Sequence, residues 1–242
     1  MKKILVFALL SFGAFAQKPL VSHIYTADPS AHLFQGKIYI YPSHDIDAGV
    51  KEDDMGSHFA MNDYHVLSQK TPASPVIDHG VALKLEDVAW ASKMLWAPDA
   101  AEAKGTYYLY FPAKDKEGVF RIGVASSAKP EGPFKAEKEY MKGSFSIDPC
   151  VFKDKDGSYY LYFGGIWGGQ LQRWKSGIYG ATDESQPANG QPALMAKVAR
   201  LDANMKEMAE APRNVQIVDA AGKVLLSEDH DCRFFWIPCL AG

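Results

Sequence analysis

Cysteine is scarce in this chain. Three residues, Cys150, Cys232 and Cys239, among 242 are too few for a disulfide framework. Cys150 sits beside Ile147, Val151 and Phe152 and reads as a buried free thiol. Long apolar runs are also missing. The one at residues 4–12 falls well short of the roughly 20 residues that cross a bilayer. It follows a basic head, Lys2-Lys3, and precedes a small-x-small stretch, Ala14-Phe15-Ala16, so residues 1–16 read as a secretory signal peptide. The mature chain would then run over residues 17–242 and be secreted or periplasmic. Without Lys2 and Lys3 the 26 basic residues fall to 24 against 29 acidic ones, a net of −5. With no basic run, nucleic acid is a poor partner, and with no apolar run long enough to cross, no membrane partner is expected. No Pro/Gly/Ser linker divides the chain, and only residues 202–210 offer a helical stretch longer than a turn or two. Nucleophile elbows (Gly-x-Ser-x-Gly) and zinc-hydrolase helices (His-Glu-x-x-His) are absent.

Aromatic residues in alternating runs, by contrast, are abundant: 12 Tyr, 13 Phe and 5 Trp. They recur in one arrangement: an Asp beside a Pro, a turn glycine, and a Tyr-rich strand. Asp28-Pro29 leads through Gly36 to Lys37-Ile38-Tyr39-Ile40-Tyr41. Pro98-Asp99 leads through Gly105 to Thr106-Tyr107-Tyr108-Leu109-Tyr110-Phe111. Asp148-Pro149 leads through Gly157 to Ser158-Tyr159-Tyr160-Leu161-Tyr162-Phe163. The acids are 71 and 49 residues apart. Units of that size, each with room for a four-stranded sheet, read as propeller blades that bury their faces by stacking. A fourth hairpin over residues 214–226, turning at Asp219-Ala220-Ala221-Gly222, is incomplete. The expected fold is all-β, an incomplete β-propeller with about three and a half blades.

Innermost propeller strands run along the central axis, so acids at equivalent places in different blades converge on one pocket. Carboxylates brought together push their pKa values apart and divide acid and base roles, as glycosidic hydrolysis requires. Trp96, Phe34 and the glycine-flanked Trp167 suit the C–H faces of a sugar. The competing reading has the acids capping turns and binding backbone N–H groups. The polar stretch at residues 43–58 follows no metal-ligand spacing and reads as a solvated loop at the mouth of the fold. Asp154-x-Asp156-Gly157 lacks the downstream glutamate of a calcium loop and reads as a hairpin turn.

Several stretches carry a closer likeness: Tyr25-Thr26-Ala27-Asp28-Pro29-Ser30, Trp96-Ala97-Pro98-Asp99, Ser146-Ile147-Asp148-Pro149, Gly169-Gln170-Leu171-Gln172-Arg173-Trp174 and Asp229-His230-Asp231-Cys232-Arg233-Phe234-Phe235. Together they resemble glycoside hydrolase family 43, the inverting five-bladed propellers that include β-xylosidases and α-L-arabinofuranosidases. The resemblance spans residues 17–242 as one catalytic domain. It implies an exo-acting glycosidase on plant cell-wall pentosans, with xylo- or arabino-oligosaccharides as partners. It also implies Asp28 as general base and Asp148 as the acid that orients the general acid and raises its pKa. For Asp99 it implies a place facing the pocket, with a substrate-binding or architectural role. The resemblance requires no cofactor, although relatives often hold a structural calcium. The family's general acid, a glutamate, follows the Arg-Phe-Phe stretch, whereas Trp236-Ile237-Pro238-Cys239 stand here. That departure implies a C-terminally truncated domain of impaired activity, with a non-catalytic carbohydrate-binding propeller or a defunct fragment as the alternative.

Overall fold

The computed structural model describes residues 18–53, 56–164, 189–191, 195–216 and 218–226. Among them the chain is all β, apart from one 3-10 turn at Leu85–Asp87. The first sheet runs β1 (Tyr25–Phe34), β2 (Lys37–Asp45), β3 (Asp63–Gln69), β4 (Ile77–Lys84), antiparallel and in chain order. The second holds β5 (Ala91–Lys93), β6 (Asp99–Ala103), β7 (Thr106–Asp115), β8 (Phe120–Ser127) and β9 (Lys135–Ala136). Here β7 is long enough to pair β6 along its first half and β5 along its second. β5 and β6 are therefore two pieces of one inner strand, interrupted at residues 94–98, where Met94 has φ +65°. The third sheet is β10 (Cys150–Lys153), β11 (Tyr159–Phe163), β12 (Lys197–Arg200), β13 (Arg213–Asn214).

Stacking follows from the period of two along each strand. On β7, Tyr107, Leu109, Phe111 and Ala113 enter a core shared with Tyr39, Tyr41, Tyr64, Val66 and Leu83 of the first sheet. Their neighbours Tyr108 and Tyr110 enter a second core with Val151, Leu161, Phe163 and Leu201 of the third. The second sheet is thus buried on both faces, which is why its central strand reads as a continuous apolar run. Each side chain as fully buried as Leu109 or Phe111 contributes about 1.5–3 kcal/mol. The inner strand β6 lies against both β1 and β10. Three four- or five-stranded sheets stacked with their inner strands adjacent form the blades of an incomplete propeller, as the repeats predict. The fourth hairpin is present as a Val218↔Val224 bridge around the Asp219-Gly222 turn.

β1 runs through Asp28 to Phe34. Two expectations need correction. Residues 202–210 form no helix: Leu201 bridges Met208, and the Ala209 N–H bonds the Arg200 carbonyl. Asp202 and Asn204 accept from the backbone N–H groups of Ala203 and Lys206, which fixes turns in place of a helix. Cys150 is not a free thiol but is disulfide-bonded. The expected signal peptide, Trp167, and the Arg-Phe-Phe segment all lie outside the described residues.

Candidate active site

Asp28 interrupts its own strand. Ala27 pairs Ser43 and Ser30 pairs Tyr41, so Asp28 and Pro29 together face the single residue Pro42 in a β-bulge. The acid has φ +46°, a left-handed backbone that Asp tolerates better than most residues but that is unusual immediately before proline. The Ser43 hydroxyl donates to the Ala27 carbonyl at 3.0 Å and pins the bulge. Asp28 is left exposed. Asp45 lies nearby. Burial, then the charge of Asp28, push its carboxyl above the ordinary value, against an opposing pull from His44. Ser30 Oγ and Asp45 Oδ1 are buried with no hydrogen-bond partner among the described residues. They place polar atoms with bonding capacity to spare on both sides of the bulge.

Asp148 repeats the pattern in the third blade. It also precedes proline, also adopts a left-handed backbone (φ +57°), and is half-buried just before β10. Its flanks are tied down. The Ser146 N–H reaches the Phe120 carbonyl at 3.3 Å, and the Ile147 carbonyl accepts from the Gly164 N–H at 2.9 Å.

Asp99 does something different. It is 1% exposed, with one carboxylate oxygen 2.7 Å from His32 Nε2 and the other accepting the Val151 N–H at 2.6 Å. One side chain on β6 therefore joins β1 to β10. Of the two roles the sequence allows it, the architectural one fits this geometry.

Trp96 sits in the break between β5 and β6. Its indole N–H donates to the Phe59 carbonyl at 2.7 Å, and its ring lies 4.5 Å from Phe120. It packs on Met94, Phe120 and Ile147, which brings it beside the residue that precedes Asp148. A Cβ on Gly56 would stand 2.6 Å from its ring, so only glycine lets that loop close over it. Phe34 is an inter-blade wedge, 5.2 Å edge-on from Tyr107 and stacked on His32 at 5.4 Å. The structure thus brings Trp96 together with the Asp148 segment and places Asp28 on the bulged inner strand two blades away.

Sequence reading missed two residues here. His32 binds Asp99, and no spacing announced it. Lys114 is 5% exposed, with its ammonium 5.1 Å over the Phe120 ring that also contacts Trp96. Burial chiefly, with Lys93 adding to it, holds its pKa below the ordinary lysine value, while Asp53 pulls the other way.

A sequence profile described as "Glycosyl hydrolases family 43" matches residues 77–217. A protein named "Xylosidase/arabinosidase 43A" from Humicola insolens is 55% identical over 225 residues, 90% of this chain and 69% of its own length. Among solved structures, a GH43 β-xylosidase/α-arabinofuranosidase from a compost microbial metagenome superposes with a TM-score of 0.85. It is 59% identical, covers 90% of this chain and 67% of its own, and is described as a calcium-free form in complex with xylotriose. A GH43_1 enzyme from Xanthomonas citri, complexed with xylotriose, gives a TM-score of 0.82 at 52% identity, covering 90% of this chain and 63% of its own. The chain therefore spans about two thirds of the length of these relatives.

Proposed function

The chain belongs to glycosyl hydrolase family 43, and on that premise we propose that its site serves exo-cleavage of β-1,4-xylosides or terminal α-L-arabinofuranosides of plant cell-wall pentosans, with inversion. Asp28 takes the proton from the attacking water, and Asp148 orients the general acid and raises its pKa. One observation carries the assignment. Both acids precede proline and adopt a left-handed backbone, Asp28 within β1 and Asp148 two residues before β10, and both of those strands lie against β6. Strain repeated at two equivalent places points to function. Trp96 supplies a stacking surface beside Asp148, and the relatives determined with xylotriose support a xylo-oligosaccharide as the ligand. We extend the proposal to a secreted or periplasmic protein, on the basic head and apolar run of residues 1–16.

Inversion needs a base-activated water and a proton delivered to the leaving oxygen. Asp28, exposed on its bulge, is accessible to water. The position at which the family places its proton donor, after Arg233-Phe234-Phe235, carries tryptophan here and lies outside the described residues. Calcium does not fit the side chains on view. The one three-residue ligand group among the described residues is two histidines and an aspartate, poorer in oxygen than calcium prefers, so no step is routed through it.

The test is leaving-group dependence. Dinitrophenolate departs without protonation, whereas the xylose expelled from xylobiose needs a proton on its leaving oxygen, so turnover should be best on dinitrophenyl β-xyloside and poorest on xylobiose. Asp28→Asn should lower the dinitrophenyl rate by about 10²-fold or more. Unchanged rates in that variant would remove Asp28 as the base, and a retained product anomer would remove inversion. Xylotriose binding without turnover on any substrate would favour the carbohydrate-binding alternative.

A further inference from the structure

We infer that blade one carries a divalent transition-metal site of the zinc class, formed by His44, Asp63 and His65. The β2–β3 pairing sets Ile40 against Leu67. Continued along the strands, it brings His44 level with Asp63, with His65 two residues further on. Paired residues and their i+2 neighbours share a face. All three side chains therefore lie on the face opposite Tyr39, Tyr41, Tyr64 and Val66, which enter the core. The outcome is a compact group whose donor atoms all lie within 4.8 Å of one another. His44 Nδ1 is 2.6 Å from Asp63 Oδ1, His65 Nε2 is 3.9 Å from the same oxygen, and the two imidazoles stand 4.8 Å apart.

Three features argue for a metal over a hydrogen-bonded cluster alone. The donor set, two imidazoles and one carboxylate, is the one that suits zinc and its neighbours. All three side chains are half-buried, so the donors are partly desolvated yet still reachable. The third feature is the outer partner of His65. Its Nδ1 lies 3.0 Å from Asp78 Oδ1, which fixes the tautomer with the proton on Nδ1 and the Nε2 lone pair aimed at Asp63. Asp78 is held in turn by the Gly80 N–H at 2.8 Å and His23 Nε2 at 2.6 Å. A carboxylate behind a histidine is the support that metal-binding imidazoles require. Donors around a tetrahedral ion stand roughly 3.3 Å apart at the usual metal–ligand lengths. The 2.6 Å contact must open and the 3.9 Å contact close, each by less than 1 Å, and the two imidazole donors, within 4.8 Å of each other, must draw together by up to about 1.5 Å. A bound ion would clamp β2 to β3 and, through Asp78, to β4, bracing the blade that carries Asp28. Three protein donors leave one position for water.

The experiment titrates chelator-stripped full-length chain with zinc by calorimetry, and with cobalt(II) by visible absorption. Saturable 1:1 zinc binding and cobalt d–d bands of a low-symmetry site are expected, with a rise in Tm on zinc addition and none on calcium addition. In the unmodified chain, cobalt should shift or broaden the imidazole proton signals of His44 and His65, a readout independent of any variant's folding. His65→Ala and Asp63→Asn should abolish binding, while Asp78→Asn should weaken it about 10- to 100-fold. No saturable zinc binding by the unmodified chain would overturn the site. So would binding that survives both ligand substitutions, or cobalt perturbation that spares His44 and His65. None of these readouts depends on hydrolysis.

Discussion

Replacing Asp99 with alanine removes a carboxylate that accepts one buried backbone N–H and one imidazole N–H across three blades. A hydrogen bond to a charged group contributes about 1.5–3 kcal/mol. Its loss also leaves the Val151 N–H without this acceptor. The sum is comparable to breaking a buried ion pair, about 3–5 kcal/mol. Asp99→Asn retains one carbonyl oxygen for Val151 and presents an amide N–H₂ to His32, whose ring can accept in its other tautomer, so about half that loss is expected. Urea unfolding followed by tryptophan fluorescence measures both. A double-mutant cycle with His32→Ala isolates the cross-blade bond and should return a coupling of about 1 kcal/mol or more. The architectural assignment fails if Asp99→Ala stays within about 0.5 kcal/mol of the parent. It fails equally if the variant keeps its stability and loses only xylotriose affinity, since Asp99 would then be a ligand contact.

Gly123→Ala would set a Cβ 2.5 Å from Trp90 and 2.7 Å from Phe111 in the core between blades one and two, and overpacking of that kind costs about 1–3 kcal/mol. Calorimetry should show a lowered Tm, and an unchanged one would mean that both rings yield freely. Gly56→Ala adds a clash with the Trp96 ring at a φ of +69°, so it should change tryptophan emission and weaken xylotriose binding, measured by titration, with little change in core stability. Lys114→Met tests the buried cation through pH. A folded-state pKa below the ordinary 10.5 means the unfolded chain holds that proton more tightly, so the parent gains stability as pH rises toward 10.5, whereas the variant lacks this contribution. The parent's Tm relative to the variant should therefore climb with pH, and a flat difference would contradict the depressed pKa.

The three-blade framework was legible because aromatic strands and turn glycines recur at blade spacing, and period two then dictates opposite faces for Tyr107 and Tyr108. The equivalence of Asp99 with the other two acids was not. In Asp28-Pro29 and Asp148-Pro149 the acid precedes proline and has a positive φ. In Pro98-Asp99 the acid follows proline, enters the ladder opposite Tyr110, and turns its side chain into the seam between blades. Reversing two letters moves the carboxylate from an exposed or half-buried place to the buried seam between blades, and composition around an acid does not register order. The metal cluster escaped for another reason. Residues 43–58 are dense in acids and histidines, yet only His44 of that stretch joins the group, and its partners come from β3 by strand register.

The division of labour among the acids also explains how the strained pair persists. A positive φ before proline is held only where surrounding structure over-determines it. At Asp28 the determinant is local: Ser43 grips the bulge at the Ala27 carbonyl. At Asp148 it comes from neighbouring strands, through the Phe120 carbonyl and the Gly164 N–H. Neither device sets the distance between the two acids, which sit on blades that both pack on β6. Asp99 bonds His32, four residues beyond Asp28 on β1, and Val151, three residues beyond Asp148 on β10. The buried carboxylate of the seam is therefore the one that holds the two proposed for catalysis in a common frame.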